Sequence, residues 1–256
     1  MASIRFRLQK LPLLAAVWRW KPQLLELALI IGAYLVYVLT RGLVFSDADH
    51  TGLENALRVV SAERSLGFFW EPVWQAWALD HAVVLVRVLN WAYIVTYWPI
   101  VLTLVVVVFV IDRHLYYYYR TVVMINLTCA LVVFMVFPVA SPFDLVDFVD
   151  TIQVYGPAFY GSPEMGTYYN TNAAMPSLHF SWTVILGVLF VRCLKCWLKL
   201  LGLVYPVMTF FAITITGNHF ILDAIAGGIL AGFAFAVMEL VVRRRIVKLW
   251  RQSARS

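Results

Sequence analysis

Residues 98–111 read WPIVLTLVVVVFVI, a run without a single charged side chain that decides the fold class of the chain. Strands of a membrane barrel alternate apolar and polar residues, whereas residues 104–110 are apolar at every position. Such a run is typical of a helix in a lipid bilayer, where about 20 apolar residues cross the hydrocarbon core. The run therefore predicts a membrane-spanning helix.

The composition and further apolar runs extend this prediction to the whole chain. Of its 256 residues, 62% are hydrophobic and 13% are charged, with a mean hydropathy of +0.81. Soluble domains are about 45–50% apolar and about 25% charged, so a soluble domain and a disordered chain are both excluded. Three cysteines are too few for a small secreted domain held by disulfides. The apolar runs cover residues 23–45, 82–111, 121–140, 175–195, 198–217 and 219–241.

These runs predict an all-α integral membrane protein with six transmembrane helices in a single polytopic domain, residues 1–256. With six spans, both termini and two of the loops share one side, and most Lys and Arg residues fall there. The positive-inside rule makes that side cytoplasmic. Residues 1–21 have no signal-peptide pattern and are expected to lie on the membrane surface. The net charge of +6 therefore reflects topology and gives no indication of nucleic acid binding.

Two segments on the opposite, outer side are too long to be simple turns. Residues 46–81 carry Trp70, Trp74 and Trp77 on one face of a predicted helix. Because tryptophan prefers the membrane interface, we expect an interfacial helix along the outer surface. Residues 141–174 are rich in Gly, Pro, Tyr and Asn, and a loop of this length is usually functional.

Two short motifs place polar side chains at the outer ends of apolar runs. Residues 175–179 read MPSLH, and the proline indicates a helix start with His179 about one turn in. Residues 217–223 read GNHFILD, and the spacing of four puts His219 and Asp223 on one helix face, about 6 Å apart. A carboxylate there keeps one imidazole nitrogen protonated and leaves the other as a nucleophile or base.

The predicted topology brings both histidines to the outer face at a similar depth. A nucleophile, an orienting acid and a second proton carrier are the groups that a covalent phosphoryl transfer needs. Two alternatives stay open at this point. The first is that His219 and Asp223 form a purely structural pair that caps a helix. The second is a metal site formed by the two histidines and Asp223, although catalytic zinc usually takes three ligands of closer geometry.

The order Pro-Ser-x-His, then His-x-x-x-Asp about forty residues later, resembles the type 2 phosphatidic acid phosphatase superfamily, the lipid phosphate phosphatases. Residues 173–179 (AAMPSLH), 219–227 (HFILDAIAG) and 137–142 (FPVASP) are similar to the branch that contains the inositol phosphorylceramide synthases. The resemblance implies a six-helix core and no metal or other cofactor. It also implies that His219 attacks phosphorus, Asp223 orients it, His179 protonates the leaving alcohol and Ser177 binds a phosphate oxygen.

The chain departs from the family pattern at several positions. Leu178 replaces a glycine, and residues 212–213 replace a Ser-Arg pair, so one phosphate-binding arginine is missing. The family's first basic motif matches Arg113 and Arg120 only superficially, because the predicted topology puts them in a cytoplasmic loop between spans two and three. Arg87, in span two near its outer end, and Asn218 are the candidates to bind phosphate instead.

The predicted substrate is an amphipathic phospholipid or polyprenyl phosphate that enters the site from the bilayer. The acceptor is either water or an alcohol such as inositol, so the enzyme is either a phosphatase or a headgroup transferase. Asn90, Tyr93 and Tyr97 share one face of span two and either line a headgroup cavity or join helices. A non-enzymatic transporter or scaffold with a degraded site is the alternative from another class.

Overall fold

The computed structural model describes residues 12–44, 48–156 and 172–244 of the chain. Three of the sequence predictions fall at least partly outside these residues. They concern the first part of the N-terminal surface segment, most of the basic C-terminus, and residues 157–171 in the middle of the long loop. These predictions stay as stated.

The chain divides into two compact units, Met1–Leu43 and Val44–Ser256. The first unit contains most of helix α1, Pro12–Val44, and its segment Lys21–Leu39 is long and apolar enough to cross a membrane. The second unit contains both histidine motifs. A single domain over the whole chain stays a prediction.

The second unit is helical, which confirms the all-α prediction. Its described residues form no β-strand, and the one β-type contact is an isolated bridge between Val139 and Ala173. The α-helices are α2 (Ala48–Leu66), α3 (Glu71–His81), α4 (Val83–Trp91), α5 (Tyr97–Ile111), α6 (Arg113–Val136), α7 (Thr151–Tyr155), α8 (Leu178–Cys193), α9 (Leu201–Ile215) and α10 (Ile221–Val237). Short 3₁₀-helical turns occur at Pro142–Asp144 and Cys196–Leu200, and wider π-helical turns occur at Ala92–Thr96 and Met238–Arg243.

The apolar helices indicate a multi-pass membrane protein. Among the described residues, four helices are long and apolar enough to cross a membrane, and a bent pair would add a fifth. The pair consists of Val83–Ile94 and Pro99–Ile111, which meet at 41° around the wide turn that follows α4. Helix α8, the predicted fourth span, has only 16 residues, fewer than the usual length of about 20. The predicted count of six spans is therefore not confirmed.

The predicted loop between the second and third spans is wrong. In the structure α5 ends at Ile111 and α6 begins at Arg113, so Asp112 alone separates them. The Asp112 carboxylate accepts a hydrogen bond from the backbone N–H of Leu115 at 3.0 Å, which caps the new helix and explains the early start. Arg113 and Arg120 consequently belong to the first turns of α6.

The predicted interfacial helix is two helices. Gly67 has a φ of +80°, a left-handed conformation that suits glycine, and it ends α2 before α3 begins. Trp70 precedes α3 and is exposed, as is Trp77. Trp74 instead packs against Phe211 of α9, with ring centroids 5.9 Å apart. The position of these helices along the outer membrane surface stays a prediction.

Small residues allow the helices around the histidine motifs to pack closely. The backbones of α8 and α9 approach each other at Gly187 and Gly202, where a Cβ on either residue would collide with the carbonyl of the other. Helix α10 packs between α6 and α8. The buried side chains of this contact are Tyr119, Val122, Ile185, Leu189, Ala231, Ala234 and Met238.

The helices of the second unit have two distinct ends. At the histidine end, which we define by His179 and His219, α8 and α10 begin close together, because the N–H of Ser177 donates to the Asp223 carbonyl at 3.0 Å. At the basic end, the guanidinium of Arg192 lies 5.7 Å from the ring centroid of Tyr118. That end carries Arg113 and Arg120 in the first turns of α6, Arg192 at the end of α8, and Lys195 and Lys199 in the connection from α8 to α9.

Candidate active site

A tight turn between α9 and α10 presents His219. Gly217 has a φ of +76°, and the backbone N–H groups of Asn218 and His219 both donate to the carbonyl of Ile213 at 3.0 Å. Helix α10 begins only at Ile221. The prediction that His219 lies within the helix is therefore wrong, since the histidine belongs to the turn before it.

Asp223 lies in the first turn of α10 and is fully buried. Its Oδ2 accepts a hydrogen bond from the backbone N–H of Phe220 at 2.8 Å, so the carboxyl group caps its own helix. The same oxygen lies 3.5 Å from Nδ1 of His219, which confirms the predicted proximity of the two side chains. Asp223 Oδ1 is buried and has no hydrogen-bond partner among the described residues.

The closer partner of the His219 ring is a backbone carbonyl. His219 Nδ1 lies 2.9 Å from the carbonyl oxygen of Ala174, and the side chain is buried. A carbonyl only accepts hydrogen bonds, so this contact requires a proton on Nδ1. In the neutral ring, Nε2 then holds the lone pair that a nucleophile needs. The Ala174 carbonyl thus shares with Asp223 the orienting role that the sequence assigned to Asp223 alone.

The second motif begins α8. Ser177 is the N-cap residue, and its Oγ accepts a hydrogen bond from the N–H of Phe180 at 3.3 Å. Pro176 precedes this cap. The helix therefore begins at Leu178, two residues later than the proline indicated. His179 is the second residue of the helix. Ser177 is fully buried, and its described side-chain contact is the helix cap.

The two imidazoles lie close together at the histidine end. The ring centroids of His179 and His219 are 6.1 Å apart, and the rings are inclined at 54°. His179 also packs on Tyr93, with centroids 4.3 Å apart and an angle of 33° between the rings. The structure therefore brings together the three residues predicted to be catalytic, since Asp223 contacts His219.

The two remaining phosphate-binding candidates have different surroundings. Asn218 is buried, and its amide donates to the hydroxyl of Thr216 at 2.6 Å. Arg87 is exposed on α4, and its guanidinium lies 5.9 Å from the ring centroid of Tyr155. Asn218 is adjacent to His219 in the turn, whereas the described contact of Arg87 is with α7. Phosphate binding by either residue stays a prediction.

The polar face of the second span has two roles. The Asn90 amide donates to the carbonyl of Thr151 at 2.7 Å, and the Thr151 hydroxyl lies 3.0 Å from Asn90 Oδ1. Asn90 thus joins α4 to α7, which agrees with the alternative that this face of the span connects helices. Tyr93 instead contacts His179 and lines the site. The Tyr97 side chain lies outside the described residues.

The metal alternative was left open by the sequence. In the part of the chain that the structure describes, no group of three or more His, Cys, Asp or Glu side chains has the arrangement of a metal site. The absence of a metal from the reaction stays a prediction.

The fold and the paired histidines point to a class of membrane-embedded phosphoryl-transfer proteins, and comparison with known families agrees. The family model of the PAP2 superfamily matches residues 57–237. The chain therefore belongs to the PAP2 superfamily, as its motifs predicted. The branch within it stays a prediction. The chain has no significant match among curated proteins or among solved structures.

Sequence reasoning missed three groups at the histidine end. The first is the Ala174 carbonyl, which accepts from the His219 ring. The other two are the carboxyl groups of Glu71 and Glu63, which accept from the backbone N–H groups of Ile221 and Leu222 in the first turn of α10. A backbone carbonyl has no signature in the sequence. The two glutamates lie in a segment with many polar residues, where acidic side chains are normally solvated.

Gly227 provides a test of how closely α8 and α10 must approach. A Cβ at this position would lie 2.5 Å from the backbone oxygen of Ser177, which cannot move without shifting the start of α8. We expect Gly227→Ala to lower turnover at least about tenfold, because displacements of about 1 Å cost up to 10²-fold in activity. Phosphate release from a lipid phosphate and the thermal unfolding midpoint would measure the effect.

Gly232→Ala is the matched control, since a Cβ at Gly232 meets nothing within 4 Å. This variant should keep wild-type activity and gain helix propensity. Equal behaviour of the two variants would show that the contact between Gly227 and Ser177 does not position the site.

Proposed function

We propose that the chain is a membrane lipid phosphatase or phosphotransferase that cleaves a phosphate ester through a phosphohistidine on His219. PAP2 superfamily membership supports a phosphatase or phosphotransferase type of function. The observation that carries the proposal is the pair of neighbouring imidazoles, with ring centroids 6.1 Å apart, of which the His219 ring has its Nδ1 within 2.9 Å of a backbone carbonyl.

The reaction then has two steps. In the first, the lone pair of His219 Nε2 forms a bond to phosphorus while the ester P–O bond breaks, and protonated His179 gives its proton to the leaving alkoxide. In the second, water or an alcohol attacks the phosphohistidine. Neutral His179 takes the proton of the attacking hydroxyl, and the N–P bond breaks to restore His219. Asp223 and the Ala174 carbonyl hold the Nδ1 proton and stabilise the charge that develops on the ring.

The phosphate oxygens need donors, and the start of α8 supplies some of them. The N-terminus of a helix favours phosphate, and the proposed acid His179 lies in the first turn of α8. We assign Ser177 and Asn218 to the same oxygens, because Ser177 lies two residues before His179 and Asn218 directly precedes His219. Arg87 is the proposed cationic partner, since residues 212–213 lack the arginine that the family pattern has there.

The orientation of the site is also part of the proposal. Arg113, Arg192, Lys195 and Lys199 lie at the opposite end of the helices from the histidines, and basic ends of membrane helices favour the cytoplasm. We therefore assign the histidine end to the outer or luminal face and both termini to the cytoplasm. A phospholipid or polyprenyl phosphate would reach the site laterally, with its headgroup at the level of the two histidines.

The acceptor separates a phosphatase from a headgroup transferase. The similarity of the two histidine motifs to the inositol phosphorylceramide synthases supports an alcohol acceptor, such as inositol or the hydroxyl of a second lipid. In that case the phosphohistidine would carry a phosphate ester, and the attack in the second step would form a new diester.

Purified protein in lipid vesicles, incubated with a panel of phospholipids and polyprenyl phosphates, tests the proposal. We expect phosphate release or, with an alcohol present, a new lipid product, and we expect activity to survive a chelator. Activity that a chelator abolishes and zinc or magnesium restores would favour the metal alternative. A folded protein without activity on any donor, with or without an acceptor, would favour the transporter or scaffold.

A further inference from the structure

Two carboxyl groups outside the PAP2 motifs are completely buried at the histidine end. Glu63, near the end of α2, and Glu71, the first residue of α3, have no exposed surface. Acidic side chains are almost never fully buried unless they are paired. The described acidic neighbours that act on Glu63 are Glu71 and Asp223, and no basic group contributes.

Both carboxyl groups bind the start of the helix that follows His219. Glu71 Oε1 accepts a hydrogen bond from the N–H of Ile221, and Glu63 Oε1 accepts one from the N–H of Leu222, each at 2.7 Å. Together with Asp223, which binds the N–H of Phe220, they satisfy three consecutive backbone donors. A helix leaves its first N–H groups without internal partners, so these contacts fix where α10 begins.

The other oxygens of the pair indicate a shared proton. Glu63 Oε2 and Glu71 Oε2 are buried and accept no hydrogen bond from the N–H and O–H donors of the described residues. The Glu71 carboxyl group lies close enough to Glu63 to raise the pKa of Glu63 through a side-chain hydrogen bond and through its charge. Two ionised carboxylates cannot bond in this way, because neither has a proton to donate. One of the two must therefore be protonated, which also avoids two uncompensated buried charges.

We propose that Glu63 and Glu71 form a proton-sharing carboxyl pair that positions His219 and Asp223 by capping the N-terminus of α10. The two glutamates are positioning residues, because they act through the backbone of the helix start. The pair carries a single negative charge, which the positive end of the helix dipole stabilises. The proposal rests on the proposed function only for its effect on turnover.

The shared proton makes a pH dependence that can be measured without a substrate. Burial raises the pKa of Glu63 to about 9, and the hydrogen bond and negative charge of Glu71 add to the rise, as does Asp223. The folded protein therefore holds this proton at pH values where the unfolded chain has lost it. Its stabilising effect is complete below the ordinary glutamate pKa and is lost as the pH rises toward about 9.

The experiment compares alanine and glutamine at each position in the full-length protein. Glutamine keeps an oxygen for the backbone N–H and offers an amide proton to the partner carboxylate, whereas alanine removes both. We expect Glu63→Ala and Glu71→Ala to lower kcat at least about tenfold with little change in KM, and Glu63→Gln and Glu71→Gln to lose far less. Glu54→Gln, an exposed acid on α2, is the matched control.

Two readouts do not depend on activity. Thermal unfolding of wild type and Glu54→Gln should shift to lower temperature between about pH 5 and about pH 9, and Glu63→Gln should remove most of the shift. Modification by diethyl pyrocarbonate, measured by peptide mass spectrometry, should be at least about fivefold faster at His219 in Glu63→Ala than in wild type. His114, at the basic end of the same molecule, is the internal reference.

The results also separate this proposal from the proposed function. The carboxyl pair is refuted if Glu63→Gln keeps the wild-type pH shift of thermal unfolding. It is also refuted if diethyl pyrocarbonate modifies His219 in the alanine variants no faster than in Glu54→Gln, or if the glutamine variants lose as much activity as the alanine variants. If the alanine variants do not fold, the pH shift of Glu63→Gln still decides. An inactive wild type with the expected pH shift would refute only the proposed function.

Discussion

Replacing His219 by alanine is expected to lower turnover by at least about a thousandfold, because the proposed mechanism forms the bond to phosphorus at this side chain. The side chain is buried in a turn that backbone hydrogen bonds hold, so its removal should leave the fold intact. Phosphate release or lipid product formation, with the thermal unfolding midpoint measured alongside, would give the effect.

His114→Ala is the control for this variant, since His114 is exposed in the first turn of α6, at the basic end. It should retain wild-type turnover. A His219→Ala variant with more than a tenth of the wild-type rate would exclude covalent catalysis by this residue.

His179→Ala is expected to lower turnover on a natural lipid by about 10²–10⁴-fold, the usual contribution of a general acid. The loss should depend on the leaving group. An alkoxide needs a proton as it departs, whereas a nitrophenolate does not, so a nitrophenyl phosphate ester should be cleaved by the variant at a rate much nearer to that of wild type. Initial rates on both substrates would measure the difference.

The ring of His179 also packs on Tyr93, so a purely structural loss must be distinguished from a chemical one. A structural defect would slow both substrates equally. Equal losses would therefore contradict the assignment of His179 as the acid, whatever their size.

The helical fold was predictable because a bilayer leaves few choices. Backbone groups in lipid must be satisfied internally, so long apolar runs such as residues 98–111 form helices. The details that failed depend on local contacts. The wide turn at Ala92–Thr96 bends the second span just before Pro99, a residue that has no backbone N–H and interrupts helices, although the apolar run predicts an unbroken span. The Asp112 cap moves the start of α6 earlier than the apolar run suggests.

The meeting of His179, His219 and Asp223 was predictable because both motifs precede apolar runs that begin at the same end. The position of His219 before the helix was not. Phe220, the N-cap residue, is not a typical cap, and the N–H groups it leaves open are bound by acids about 150 residues away in the chain. Only tertiary structure shows that Glu63 and Glu71 belong to this helix start.

Trapping of the intermediate tests covalent catalysis by His219 most directly. Wild-type protein is incubated with a lipid donor labelled with ³²P at its phosphorus, quenched without acid to preserve an N–P bond, and mapped by peptide. We expect label on the peptide that contains His219, whether the group is phosphate or a phosphate ester, with no label in His219→Ala and normal label in His114→Ala. Label on another residue, or undiminished label in His219→Ala, would contradict covalent catalysis by His219.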